Sequence, residues 1–175
     1  MKKQLKISLV LLFFAFNVQA QNGGFNKTDN LLNIGIGINS FYDSGVPFGV
    51  SFEKGIHENI SVGANFDYLA TDFSSSGTDL KFTAIYLALR GSYYFNNLLK
   101  ISSQKIDLYG GPSVGYRIFS WKDDFSGSLS SKYGSGLFIG VHIGGKYYFT
   151  DKIGGFLELG DIGSTNARLG VAFKF

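Results

Sequence analysis

The sequence has no cysteine, only two prolines and two histidines among 175 residues, and 17% charged side chains. Without cysteine there are no disulfides, no thiolate metal sites and no lipid-bearing N-terminal cysteine after processing. The charged share lies below the roughly 25% usual for a soluble domain. Two prolines are too few for a disordered Pro/Gly-rich chain, and the 24 glycines lack the spacing of collagen. Beyond residue 21 no apolar run approaches the roughly 20 residues that a membrane-spanning helix needs.

The first twenty residues stand apart. Lys2, Lys3 and Lys6 precede the apolar run Ile7–Phe16, and "VQA" precedes Gln21, which together read as a secretory signal peptide over residues 1–20. That segment holds three of the 16 basic residues and none of the 13 acidic ones. The formal charge of +3 therefore belongs to the leader, and residues 21–175, read as one domain, carry 13 charges of each sign. A balanced chain offers no basic surface for nucleic acid.

What recurs after residue 21 is alternation with a period of two, the mark of β-strands. In "NIGIGIN", Ile34, Ile36 and Ile38 occupy one face and Asn33, Gly35, Gly37 and Asn39 the other. Seven further segments alternate similarly: Phe48–Gly55, Ile60–Ala70, Phe82–Phe95, Ile106–Phe119, Leu137–Phe149, Ile153–Gly160 and Ala167–Phe175. Pro112 in the Ile106–Phe119 segment, beside Gly110 and Gly111, predicts a bulge. The connections at Ser40–Pro47, Thr71–Lys81, Ser120–Gly136 and Asp161–Asn166 are mostly the longer and richer in Ser and Gly. Such asymmetry suits a membrane barrel with short periplasmic turns and long outer loops.

An eight-stranded secreted lipocalin-like binder is the alternative, and the polar face distinguishes the two. A lipocalin exterior meets water and should be crowded with charge. Here that face carries Gly35, Gly37, Gly49, Ser51, Gly63, Ala84, Ala88, Ser92, Gly111 and Gly115, small residues suited to the inside of a narrow barrel. The opposite face, with Leu87, Leu89, Ile139, Val141, Leu157 and Val171, is bulky enough for lipid. Aromatic clusters at Tyr93–Phe95, Tyr147–Phe149 and Phe173–Phe175 predict one interfacial girdle, with Tyr68, Phe73, Phe82, Phe119 and Trp121 forming the other. The expectation is an all-β, eight-stranded, antiparallel up-and-down transmembrane β-barrel. Sixteen strands of about 10 residues would exceed the chain, which excludes a wide general porin.

With its leader, the repeated "GSYYFNN" and "GGKYYFTD" and the closing "LGVAFKF", the chain resembles the outer membrane protein beta-barrel domain family, small OmpA/OmpX-like bacterial barrels. The resemblance implies a bacterial outer-membrane location, contact with outer-membrane lipids, and delivery by the outer-membrane insertion machinery. Phe173 and Phe175 are then the assembly signal. It names no ligand.

Strand parity places Glu53, Asp67, Asp107 and Glu158 inside, with Arg90, Arg117, Lys146, Arg168, Lys174 and His142. Buried charges need partners, so these residues are expected to form an ionic network that plugs the lumen. A narrow ion or small-solute channel is the alternative. Neither His57, in a turn, nor His142, inward in mid-strand, is placed for a Ser–His–carboxylate site at the lipid-facing rim, so an outer-leaflet lipid-modifying enzyme is disfavoured. Asp123 and Asp124 lack the spaced ligands of a calcium loop, and neither a metal nor a cofactor site is expected. The function expected is a non-enzymatic membrane anchor whose outer loops make surface contacts or adhere. Trp121, Asp123, Asp124 and Tyr133 are the leading contact candidates, with no nucleic acid as partner.

Overall fold

A computed structural model describes residues 24–42, 44–75, 78–122 and 134–175, without the side chains of 72–80. Eight strands follow one another: β1 (Asn30–Gly37), β2 (Phe48–His57), β3 (Ile60–Ser75), β4 (Thr78–Tyr94), β5 (Ile106–Trp121), β6 (Gly136–Tyr148), β7 (Ile153–Gly160) and β8 (Ala167–Lys174). Each pairs antiparallel with its successor, and β1 pairs with β8, closing an up-and-down barrel. Closure matters because a sheet edge would leave a row of unpaired backbone groups. The seam extends to the last residue, where Asn30 and Phe175 exchange N–H···O bonds of 2.8 and 3.0 Å.

Period two sorts the residues as the alternation requires. On β1, Asn33, Gly35 and Gly37 are buried while Ile34 and Ile36 are exposed; on β6, Gly140 and His142 are buried between exposed Ile139, Val141 and Ile143. The apolar side chains form the outer face and the charged ones the interior, the reverse of a water-soluble sheet protein.

Three expectations need correcting. Thr71–Lys81 is mostly strand, not loop, because the β3–β4 ladder runs on through Thr71↔Phe82, Asp72↔Lys81 and Phe73↔Leu80 to Ser75↔Thr78. Pro112 produces no bulge. Its missing N–H is absorbed on the β4 side, where pairing skips from Arg90↔Ser113 to Tyr93↔Gly110 without a change of register. The irregularity lies between Gly55 and His57 on β2. Finally, Phe82, Phe119 and Trp121 of the outer aromatic girdle are interior, while Tyr68 is exposed as expected and the Phe73 side chain lies outside the described residues. Phe82 is buried with Tyr42, Leu69, Ala84 and Tyr86, and Phe119 and Trp121 pack against them. Tyr94 and Tyr148 are likewise buried, while Tyr93, Tyr147 and Phe149 remain outside. Parity is the reason: Phe82 and Tyr94 share the even numbering of Ala84, Ala88 and Arg90, so the strand turns them inward.

Candidate functional site

The lumen is filled in three layers. The middle one is built around Arg90 of β4, whose Nη2 lies 2.6 Å from Glu158 Oε1 of β7 and whose Nε lies 3.1 Å from Glu53 Oε1 of β2. One guanidinium thus bridges two carboxylates from opposite walls. Ser61 Oγ donates to Glu53 Oε2 at 2.6 Å, and Tyr109 OH donates to Glu158 Oε1 at 3.0 Å. These added donors matter because buried ions recover their lost hydration only when their remaining lone pairs are also bonded. His142 Nε2 lies 2.9 Å from Ser92 Oγ, with both residues buried. The Lys146 ammonium sits 4.6 Å from the Tyr109 ring centre and donates to Tyr94 OH at 3.2 Å.

Toward the outer mouth, Arg168 of β8 pairs with Asp67 of β3 and donates to the Ile162 carbonyl at 2.9 Å. Asp67 also accepts from the Ser164 hydroxyl and, at 2.9 Å, from the Ser164 backbone N–H. The Asp161–Asn166 connection is therefore folded into the mouth, with Ile162, Gly163, Ser164 and Thr165 buried, and is not the open contact loop that the sequence suggests. Gly163 makes this turn with φ +105°, where a Cβ would also sit 2.7 Å from that of Asp67. The Ser40–Pro47 connection contributes Tyr42, whose hydroxyl meets that of Tyr86 at 2.7 Å within the aromatic cluster. Arg117 is only half-buried here; its Nε donates to the Gly134 carbonyl at 2.7 Å and its guanidinium lies over the Tyr86 ring. It belongs to the aromatic layer, apart from the Arg90 group.

The inner end is closed by the segment before β1. Phe25 stacks on Tyr94 with ring centres 3.7 Å apart and planes 4° from parallel. Its N–H donates to Asp107 Oδ1 at 3.1 Å, and Asn96 Nδ2 donates to the same oxygen at 2.9 Å. Lys174 Nζ donates to the Gly24 carbonyl at 2.8 Å and lies over the Tyr148 ring. Asp29 is buried beneath this segment, with Oδ2 accepting from the Asn26 N–H at 2.9 Å.

Burial pushes the Asp29 carboxyl above its usual range, despite the opposing pull of that N–H and of Lys174 and Lys146; nearby Asp107 raises it further. A carboxyl raised in the folded state binds more protons there than when undocked, so docking is strongest in acid and weakens as the pH rises through the raised value. Hydrogen-exchange protection of the 24–29 backbone, corrected for intrinsic rates, is expected to be higher at about pH 4.5 than at about pH 7.5. Asp29→Asn should hold the acid level of protection at both. An unchanged pH response in that variant would remove Asp29 as its cause.

Ten sequence-derived interior residues thus divide among three layers: Glu53, Arg90, His142, Lys146 and Glu158 in the middle, Asp67, Arg168 and Arg117 outward, Asp107 and Lys174 inward. Trp121 packs half-buried against the Phe82 group, whereas Asp123, Asp124 and Tyr133 lie outside the described residues. Phe173 and Phe175 both point outward, Phe173 half-buried and Phe175 exposed, with the Phe175 ring 6.4 Å from Phe52. Sequence reasoning overlooked Tyr86 and Ser61 and placed Tyr94 and Tyr148 in a girdle, although the parity of all four is inward. It had no signal for Phe25, Asp29 or Ser164, which belong to no strand. Among the described residues, no three His, Cys, Asp or Glu side chains gather as metal ligands.

This fold is that of the small eight-stranded outer-membrane barrels. It superposes on the outer membrane protein OprG from Pseudomonas aeruginosa with a TM-score of 0.60 at 13% identity, covering 87% of this chain and 98% of OprG. It superposes on Ail, the attachment invasion locus protein of Yersinia pestis, with a TM-score of 0.50 at 15% identity over 85% and 99%. No protein-family model and no curated protein matches the chain.

Proposed function

We propose that the protein is a non-enzymatic integral protein of the bacterial outer membrane, an anchor with a sealed lumen that presents its outer face for contact or adhesion. The observation that carries this reading is the inverted distribution of polarity: apolar residues outside, and ions paired across a filled interior. On β4 the outward residues run Thr83, Ile85, Leu87, Leu89, Gly91 and Tyr93. Over that length the strand rises about 33 Å, or about 25 Å along the barrel axis at a tilt of about 40°, the height of an outer-membrane apolar band. An attachment function in a protein of this fold, Ail, is consistent with a contact role. The burial of both Ser92 and His142 within the packed lumen favours a structural over a hydrolytic use of that pair. Outer-membrane lipids are the surroundings, and the outward Phe173 and Phe175 are the end that the insertion machinery reads.

Planar-bilayer recording tests the sealed lumen. The wild-type protein is expected to give no stable openings at neutral pH. Stable openings that disappear on altering Arg90 or Arg117 would replace the anchor by a narrow channel.

A further inference from the structure

We propose that the inner end of the barrel binds one alkali cation, sodium or potassium, between Asp29 and Asp107 beneath the Gly24–Asp29 segment. The first observation is a charge count. In the middle and inner layers four buried carboxylates, Asp29, Glu53, Asp107 and Glu158, face three buried cations, Arg90, Lys146 and Lys174. A histidine of ordinary pKa is mostly neutral at neutral pH, so His142 does not restore the balance. Toward the outer mouth, Asp67 and Arg168 balance each other. One negative charge is left over in a dry interior, where an uncompensated ion is strongly unfavourable.

The second observation places that charge. Glu53 and Glu158 meet Arg90 directly, whereas neither Asp29 nor Asp107 forms an ion pair with any described residue. Asp29 Oδ1, Asp107 Oδ2 and the Tyr148 hydroxyl are buried and make no hydrogen bond to a described residue. These three groups are electrostatic neighbours. Lys174 and Lys146 flank them with their ammonium groups directed elsewhere: Lys174 bonds the Gly24 carbonyl at 2.8 Å and lies 4.5 Å from the Tyr148 ring centre, and Lys146 bonds Tyr94 OH at 3.2 Å. Two carboxylate oxygens and a phenol oxygen are ligands for a hard cation. Charge selects its valence, because a single positive charge balances the count while a divalent ion would exceed it beside two ammonium groups. The site lies under a segment that belongs to no strand. The cation therefore enters from the inner side when Gly24–Asp29 lifts, and once bound it holds the segment down through Asp29.

The test uses the full processed chain in phosphatidylcholine vesicles at neutral pH and constant ionic strength, with sodium, potassium or N-methylglucamine chloride as the salt. Hydrogen exchange at the Phe25, Asn26 and Asp29 amides, all bonded within the docked segment, reads its closure. Binding to the closed form alone raises protection in proportion to one plus the ratio of free ion to Kd, so at about ten times the Kd a rise of about tenfold over N-methylglucamine is expected. The alkali ion that gives the larger rise at equal concentration is the better fit to the site. Asp29→Asn and Asp107→Asn should each abolish the rise. Tyr148→Phe, which keeps the ring, should reduce it, and Lys27→Ala, on the exposed side of the same segment, should leave it intact. Heat-modifiable gel migration scores the folding of each variant, and the wild-type comparison among salts needs no variant. A proton and the cation compete for the same oxygens, so the pH response of this segment is also expected to narrow as sodium rises. Equal protection in all three salts overturns the site and leaves a proton as the counter-ion. A rise that survives in both folded Asn variants overturns it as well.

Discussion

Arg90→Leu is expected to destabilise the barrel by about 3–5 kcal/mol, because it strands two carboxylates in a dry interior. Glu53 and Glu158 are both 1% exposed and receive Arg90 from opposite walls, so no rearrangement of one strand returns either to water. Urea unfolding in lipid vesicles, read by heat-modifiable migration, measures the shift. The double variant Arg90→Leu, Glu158→Gln should recover much of it, since Tyr109 still has an amide oxygen to bond and one charge of each sign is removed, leaving Glu53 with Lys146 in the same layer. Wild-type stability in the single variant would show that the lumen is wet at this level, and the sealed-lumen reading would fall with it.

The second large effect is local. Asp67→Ala removes the acceptor shared by the Ser164 N–H, the Ser164 hydroxyl and Arg168, and leaves the Arg168 guanidinium buried with only the Ile162 carbonyl of those contacts. The contacts that fold Asp161–Asn166 into the mouth converge on this carboxylate, so the expected result is release of that turn from an intact barrel. A loss of about 3 kcal/mol corresponds to about a hundredfold faster hydrogen exchange at the Ile162–Thr165 amides, with the β1–β8 seam unchanged. Asp67→Asn, which keeps an acceptor without the charge, should fall between. Equal exchange in wild type and Asp67→Ala would mean that the turn is held by backbone bonds such as Phe41 N–H to the Ser164 carbonyl and not by the carboxylate.

Both variants lie where alternation alone reaches its limit. The run of Ile34, Ile36 and Ile38 against Gly35 and Gly37, repeated in eight segments, already implies eight antiparallel strands with one bulky face and one face of small and charged residues. The same rule, applied strictly, turns Phe82, Tyr86 and Tyr94 inward. Reading Phe82 and Tyr94 as girdle aromatics weighed their position near strand ends over their parity. The β3–β4 ladder shows the opposite limit: "TDFSSSGTDLK" has the composition of a loop, yet its backbone continues the pairing that neighbouring residues have already set in register. Connections are harder still. Phe25, Asp29, Tyr42 and Ser164 have no period, and their inward course depends on what the lumen offers them: an aromatic face, an opposing lysine, an unsatisfied hydroxyl or carboxylate.

By itself, then, the sequence determined the strand number, the antiparallel order and the face of each strand residue, because these follow from local backbone geometry and the contrast between apolar and polar side chains. Only the tertiary structure decided which ions meet. Arg90, Glu53 and Glu158 come from β4, β2 and β7, and their distances depend on the stagger at which β1 closes on β8, a property of the whole ring and of no single segment. The three-layer filling of the lumen is settled at that same step, since closure creates the narrow space in which unpaired charges and hydroxyls draw the connecting segments inward.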